Sequence, residues 1–387
     1  MQKPTVGIGL VGAGFMGRCH ANAFRSVSGL FELALEPRLE LLADATEELA
    51  RASAAALGFA RATADWRTLC ADPQVDIVAV TAPNALHEPI VMAAIAAGKT
   101  VYCEKPLSTT AASARRMTEA AEAAGITTLV GFNFLRNPMI RLAREIVQGG
   151  EIGAVTGFRG RHAENYMANP DVPHSFRTEP EGGGAAADIG SHITSLARAL
   201  MGPIVEVTAD CRTIHATRPV AAGSAERAPV EVDDMTHALV RFEGGASGSL
   251  EANWAATART MDLSFEITGT KGAVFFTQER MNELLLWSGV PGRSGYTRIE
   301  AGPAHPPYGR FCPAPGHHLG FNDLKVIEVA DLIDAMAGGT AAFPDFREAL
   351  AVQETIEAMQ RASAERAWVG VAAAEPASQF ADSDVAR

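Results

Sequence analysis

The chain lacks any apolar run close to the roughly 18 residues that a membrane-crossing helix requires. It is also poor in cysteine, with five in 387 residues. Cys19, Cys70, Cys103, Cys211 and Cys312 are widely scattered, and no two have the spacing of a zinc site or a redox motif. Reduced thiols are therefore expected, and no metal is expected, because no His/Asp/Glu cluster has zinc-like spacing. A basic surplus is missing too. The formal net charge is −12, which argues against a nucleic-acid or anionic-membrane partner, since phosphate binding needs a basic surface. A local basic pocket for one small anion stays open. The opening MQKPTVGIGLVGAG has no cleavable signal pattern, so a cytoplasmic location is expected.

What is present is core-forming material. With 47% hydrophobic and 20% charged residues, a large packed interior is expected, and the length suits two domains. The first third alternates apolar strand candidates (5–12, 38–44, 75–82, 100–105 and 126–133) with Ala-rich helical stretches (46–58, 88–99 and 111–125). This alternation predicts βαβ units and a doubly wound parallel sheet buried on both faces. After about residue 134 a helix (137–150) leads into polar and β-branched alternation. FEGGAS and ITGTKGA read as hairpin turns there. The expected class is α/β: an N-terminal Rossmann sheet over 1–133, then an α+β domain on a large, mainly antiparallel sheet over 134–371. A flexible tail is expected over 372–387. Residues 216–231 read as an exposed loop. Residues 301–320, rich in Pro and Gly, are too long for an ordinary connector, and their three histidines and Tyr308 favour function.

GLVGAGFMGRCH carries Gly12, Gly14, Phe15, Met16 and Gly17 in G-x-G-x-x-G spacing. Such a motif is weak alone and gains meaning here because it follows a strand and opens a helix. Gly12 permits the tight turn, Gly14 lets the backbone approach a pyrophosphate, and Gly17 lets helix and strand pack. The helix N-terminus then offers N–H groups to the phosphates. Asp44, at the end of the second strand, can accept both ribose hydroxyls and would repel a 2′-phosphate, which favours NAD. A glycine turn plus a surface aspartate is the bland alternative. TAPNALH places Thr81, Pro83, Asn84 and His87 at the carboxyl edge of the sheet, where ligands bind; His87 could instead be a packing histidine.

VYCEKPLS ends a buried strand in Glu104 and Lys105, with Pro106 holding the lysine extended. An ammonium at that edge can hydrogen-bond a substrate hydroxyl and stabilise an alkoxide. A salt bridge to Glu104 is the alternative. In EGGGAAADIGSHITSLARALMG, Asp188 and His192 stand i and i+4, on one face of a helix starting near Asp188. The helix dipole would favour an ionised aspartate and a neutral histidine, the form that accepts a hydroxyl proton. A cap and a buried histidine would look the same in sequence.

The motifs GLVGAGFMGRCH, TAPNALH and CEKPLS, in this order, resemble the Gfo/Idh/MocA family of sugar and cyclitol oxidoreductases, over nearly the whole chain. The resemblance implies a catalytic Lys105, often followed by a cis peptide, with the family's D-x-x-x-H motif on Asp188 and His192. QERMNEL and RFCPAPGHHLGFNDLKVIE resemble the branch holding scyllo-inositol/L-glucose dehydrogenases and, further off, levoglucosan dehydrogenase. That branch implies His317 as a substrate contact, with His318 a less certain neighbour. Asn133 and Arg177 join the pocket candidates beside Lys105, Asp188 and His192, although relatives of the branch carry lysine or arginine near Arg177. Family members often form dimers or tetramers through the broad sheet, so a homodimer or homotetramer is expected. Three functions stay open: an NAD-dependent polyol dehydrogenase, redox-assisted glycoside cleavage without net NADH, and a non-catalytic NAD-binding sensor. No arginine cluster marks a phosphorylated substrate.

Overall fold

The structure, a computed structural model, describes residues 3–289, 291–292 and 294–372. Apart from residue 372, the tail expected over 372–387 lies outside the described residues. Six strands form the first sheet: β1 (Thr5–Val11), β2 (Glu36–Ala43), β3 (Arg61–Thr63), β4 (Ile77–Val80), β5 (Thr100–Cys103) and β6 (Thr128–Val130). All are parallel, in the order β3-β2-β1-β4-β5-β6. Helices α1 (Phe15–Ser26), α2 (Glu47–Leu57), α3 (Trp66–Ala71), α4 (His87–Ala96) and α5 (Ala111–Ala124) connect them. β4 is buried at every position, which is why its sequence is continuously apolar rather than alternating. The order reverses between β1 and β4, and the crevice at such a switch point is where ligands bind.

The second half carries α6 (Pro138–Gln148), β7 (Val155–Ala163), α7 (Ala185–Asp188), α8 (Gly190–Met201), β8 (Ile204–Arg212), β9 (Thr217–Pro219) and β10 (Arg227–Pro229). There follow β11 (Met235–Phe242), β12 (Ser247–Asn253), β13 (Asp262–Gly269), β14 (Gly272–Thr277), β15 (Glu283–Ser288) and β16 (Gly295–Glu300). The chain closes with α9 (Tyr308–Phe311), α10 (Phe321–Met336), α11 (Phe346–Glu365) and β17 (Val369–Gly370). Nine strands form one broad sheet, antiparallel except where β12 runs parallel to β7. Helix α8 lies on one face, against β7 and β12. Both hairpin turns read from sequence join neighbouring antiparallel strands.

Helices α10 and α11 return to the first domain, where α10 packs on α1 and α11 on α5. These two helices thus close the joint between the domains. Two segments differ from their sequence reading. Residues 216–231 contain the β9–β10 hairpin and are anchored by Arg218, which is fully buried. Its guanidinium meets Asp234 and the carbonyls of Met167, Asn169 and Val172. Local composition hides such an anchor, because its partners lie far off in sequence. In 301–320, Tyr308 is buried and structural: its hydroxyl donates to the Ala314 carbonyl and accepts from the His318 N–H.

Candidate active site

The end of β1 reaches Gly12, whose φ of +93° favours glycine. A Cβ on Gly17 would lie 2.1 Å from the Gly12 carbonyl oxygen, so α1 can start this close to β1 only without a side chain. Gly14 has open space on its Cβ side. Together they open a cleft of about 710 Å³, walled on one side by Phe15, Met16 and Asp44. Asp44 is held in place because its carboxylate accepts the Ala13 and Ala45 N–H groups at 3.0 and 2.7 Å. Pro83, Asn84 and Thr81 also line the cleft, and the Thr81 hydroxyl donates to the Gly12 carbonyl at 2.6 Å. His87 also borders the cleft, but its ring is buried and lies 2.9 Å from the Pro106 carbonyl and 3.0 Å from that of Ala82. It ties two strand-end loops together. An open glycine turn, a helix N-terminus and a fixed carboxylate form the donor and acceptor set that a dinucleotide needs.

Lys105 leaves β5 at the floor of this cleft, before a cis Lys105–Pro106 peptide. Its ammonium donates to the Asp188 carboxylate at 2.7 Å and to the Asp188 carbonyl at 2.9 Å. A salt bridge between Lys105 and Glu104, the alternative open in sequence, does not form. The Glu104 side chain turns the other way, and accepts from Lys325 at 2.6 Å and His20 at 2.8 Å. The second Asp188 oxygen accepts from Arg177 Nε at 2.8 Å and the Tyr166 hydroxyl at 2.9 Å. Burial alone would raise the Asp188 pKa, but Lys105 and Arg177 reverse that and hold the carboxyl well below the usual range.

The helix expected to start near Asp188 begins earlier. Asp233 accepts the Ala186 N–H at 2.9 Å, so α7 starts at Ala185 and Asp188 ends it, while His192 lies in the first turn of α8. The aspartate is ionised by its three donors, not by a helix start. His192 is buried against Phe134, Phe132 and His162, with ring centroids at 4.8, 5.8 and 5.5 Å. Burial first, then the charges of Lys105 and His162, push its pKa well down, so the imidazole is neutral. Its Nδ1 is buried without a protein partner, as is the amide nitrogen of Asn133.

Comparison with known proteins agrees with this geometry. Residues 6–132 match the oxidoreductase family model of the NAD-binding Rossmann fold, and 140–275 match the Gfo/Idh/MocA C-terminal domain. Levoglucosan dehydrogenase of Pseudarthrobacter phenanthrenivorans is 35% identical over 95% of this chain and 98% of that protein. The chain belongs to the Gfo/Idh/MocA oxidoreductase family. Among solved structures, levoglucosan dehydrogenase in complex with NADH and L-sorbose superposes with a TM-score of 0.92 at 35% identity, over 95% of this chain and 99% of that one. An NAD-binding oxidoreductase from Klebsiella pneumoniae is 40% identical, with a TM-score of 0.91 over the same shares. Myo-inositol 2-dehydrogenase of Thermotoga maritima is 29% identical over 72% of this chain and 77% of that protein. The chain is an NAD-dependent oxidoreductase of CH–OH groups, in a family of sugar and cyclitol dehydrogenases.

Within this family member, the structure brings the dinucleotide turn, Asp44, Thr81, Pro83, Asn84, Glu104, Lys105, Arg177 and Asp188 to one cleft. His192 and Asn133 lie buried behind that wall. His317 is not among the residues lining the cleft; its ring is exposed and its Nδ1 lies 3.1 Å from the Ala314 carbonyl. The sequence reading missed Trp66 and Phe176, which line the cleft, and Tyr166, which holds Asp188. It also missed the buried set behind Glu104: His20, Lys325, Tyr102 and Glu328. Only an aromatic at Tyr166 and a charge inside the apolar stripe of α10 marked them.

Proposed function

We propose that the protein oxidises a secondary hydroxyl of a cyclitol or unphosphorylated pyranose, such as scyllo- or myo-inositol or a related sugar, to the ketone. One observation carries the reading. Lys105 from the first domain and Asp188 from the second meet at 2.7 Å in the dinucleotide cleft, with the neutral His192 beside them. NAD, when bound, supplies the hydride acceptor. His192 accepts the hydroxyl proton as general base. Lys105 holds the same oxygen and stabilises the charge that develops on it. Asp188 keeps the ammonium aimed and is itself fixed by Arg177 and Tyr166.

Polyol recognition suits the remaining groups, because each ring hydroxyl shielded from water needs a fixed donor or acceptor. The Asn133 amide and His192 Nδ1 are buried polar groups without a protein partner, and Arg177 borders the cleft. We take Lys105, Asn133, Arg177, Asp188 and His192 as the substrate contacts and leave out His317, which is exposed and does not line the cleft. Residues 1–133 would bind the cofactor and 134–371 the substrate. Incubation of a panel of inositols, hexoses and anhydrosugars with NAD tests the reading. Accumulating NADH supports it; product without net NADH means redox-assisted cleavage, and binding without turnover means a sensor. His192→Gln and Lys105→Ala should both lose turnover while still binding NAD.

The face of the nine-stranded sheet that includes Leu239 and Phe275 forms a second hollow of about 600 Å³, with Leu239 53% exposed. A second copy of the chain is the proposed cover. Light scattering of the wild type and of Leu239→Lys would show a homo-oligomer and its weakening.

A further inference from the structure

His162 points from β7 toward α8, directly behind His192, with 5.5 Å between ring centroids. Its Nδ1 lies 2.9 Å from the Ile189 carbonyl, and its Nε2 lies 2.9 Å from the Glu164 carboxylate. Both partners are acceptors, so each link needs a proton on the ring or on the carboxyl. A neutral His162 beside an ionised Glu164 would leave two lone pairs facing each other in a site where His162 is 1% exposed. That arrangement is costly in a low-dielectric interior. The simplest satisfied state is an imidazolium on His162 paired with the Glu164 carboxylate, whose other edge is partly open to solvent.

We propose that Glu164 and His162 form a positioning pair that holds a proton behind His192, so that the His192 imidazole stays neutral and free to accept the substrate's hydroxyl proton. This rests on His192 being the base. The charged groups that act on His192 come from three elements. The end of β5 contributes Lys105 and Glu104, α7 contributes Asp188, and β7 contributes His162. Phe132 and Phe134, which complete the surround, carry no charge. Lys105 and His162 both disfavour a cation on His192, and Asp188 and Glu104 oppose them more weakly. Asp188 is already shared among three donors. The pair therefore supplies a second positive neighbour, independent of the lysine that the substrate engages.

The test is a titration of the histidine ring signals by NMR on the NAD-bound protein, in the wild type, Glu164→Gln, His162→Gln and, for assignment, His192→Gln. In the wild type, His162 should carry protons on both ring nitrogens at neutral pH, and His192 should stay neutral below the usual midpoint near 6.5. Glu164→Gln allows a neutral His162, because the new amide can donate to Nε2. The His192 midpoint should then rise by about half to one pH unit. His162→Gln removes the cation and leaves the carboxylate, so the rise should be larger. The acidic limb of kcat/KM, read with NAD and whichever panel polyol reduces it, should move the same way and in the same order. A neutral wild-type His162, or an unmoved His192 midpoint in both variants, would overturn the pair. If His192→Gln instead keeps turnover and its acidic limb, the base assignment fails. The ring signals would still report whether the pair holds its proton.

Discussion

Glu104 and Lys105 are neighbours in one short motif, yet they enter opposite environments. The Lys105 ammonium faces the cleft and pairs with Asp188, both side chains being slightly exposed at 16% and 12%. Glu104 faces the joint between the domains, where its partner Lys325 is fully buried. There Lys325 also meets Glu328 and Tyr102, and His20 donates to Glu104. Burial alone would raise the Glu104 pKa, but Lys325 and His20 hold it well below the usual carboxylate range. The same two charge types thus do different work. One pair stays within reach of a ligand, and the other fixes the strand end from which the first projects, since the Lys105 N–H also meets Glu104.

The comparison predicts that stability and activity separate between the two lysines. Lys325→Met strands the Glu104 and Glu328 carboxylates in the interior. Breaking one side of a buried pair costs about 3–5 kcal/mol, so urea unfolding should show a loss of that order. Lys325→Met combined with Glu104→Gln should recover part of it, as coupled sites do. If the single variant unfolds like the wild type, the buried joint is not what holds the domains. Lys105→Ala should do the reverse. Loss of one preorganised donor lowers turnover about 100- to 1,000-fold, while Asp188 keeps Arg177 and Tyr166 and stability changes little. Equal loss of stability in both variants would erase the distinction.

Acidity sharpens it further. Burial first, then the charge of Lys325, holds the His20 pKa down at about 4, against 6.5 for the free side chain. Below pH 6.5 the unfolded chain binds a proton that the native His20 refuses, so stability is full above that pH and falls toward pH 4. Integrated over this window the loss is up to about 3 kcal/mol, or about 1.4 kcal/mol per pH unit at its steepest. His192, also lowered, adds to the same limb. His20→Gln keeps a donor for Glu104 and removes one proton from the balance. Its unfolding free energy should therefore decline less steeply between pH 6 and 5 than that of the wild type.

These contrasts follow the distance over which information had to travel. The dinucleotide turn was legible because its six residues, from Gly12 to Gly17, act on one another across one bend. Lys105 and the Asp188/His192 motif were legible as separate candidates, and resemblance supplied their partnership. Their contact spans 83 positions, which no periodicity reports. The Lys325–Glu104 pair spans 221, and α10 looks in sequence like an ordinary apolar helix with scattered charge. The i, i+4 spacing of Asp188 and His192 suggested one helix start, whereas a side chain from elsewhere, Asp233, set the start three residues sooner. His162 and Glu164 were unreadable for another reason. His162 lies next to last in β7 and Glu164 just follows the strand, so the pair reads as an ordinary polar strand end, and only the packed helix behind His162 reveals what it meets.

Asp44 offers the smallest and most local contrast. Like Glu104 it is a carboxylate at a strand end, but it is only half-buried and its protein partners are the N–H groups of Ala13 and Ala45 alone. Among the described residues no lysine or arginine pairs with it, so its remaining acceptor capacity is open to a ribose. A hydrogen bond to a charged group contributes about 1.5–3 kcal/mol. Asp44→Ala should therefore weaken NAD binding about 10- to 100-fold in a fluorescence titration, with kcat at saturating NAD nearly unchanged. The variant should also narrow the gap between NAD and NADP, because the carboxylate no longer repels a 2′-phosphate. An unchanged NAD affinity would mean that this carboxylate only shapes the turn. Legible chemistry would then end at the glycines, and cofactor preference would have to be sought at Ala45, Ala64 and Trp66 along the same wall.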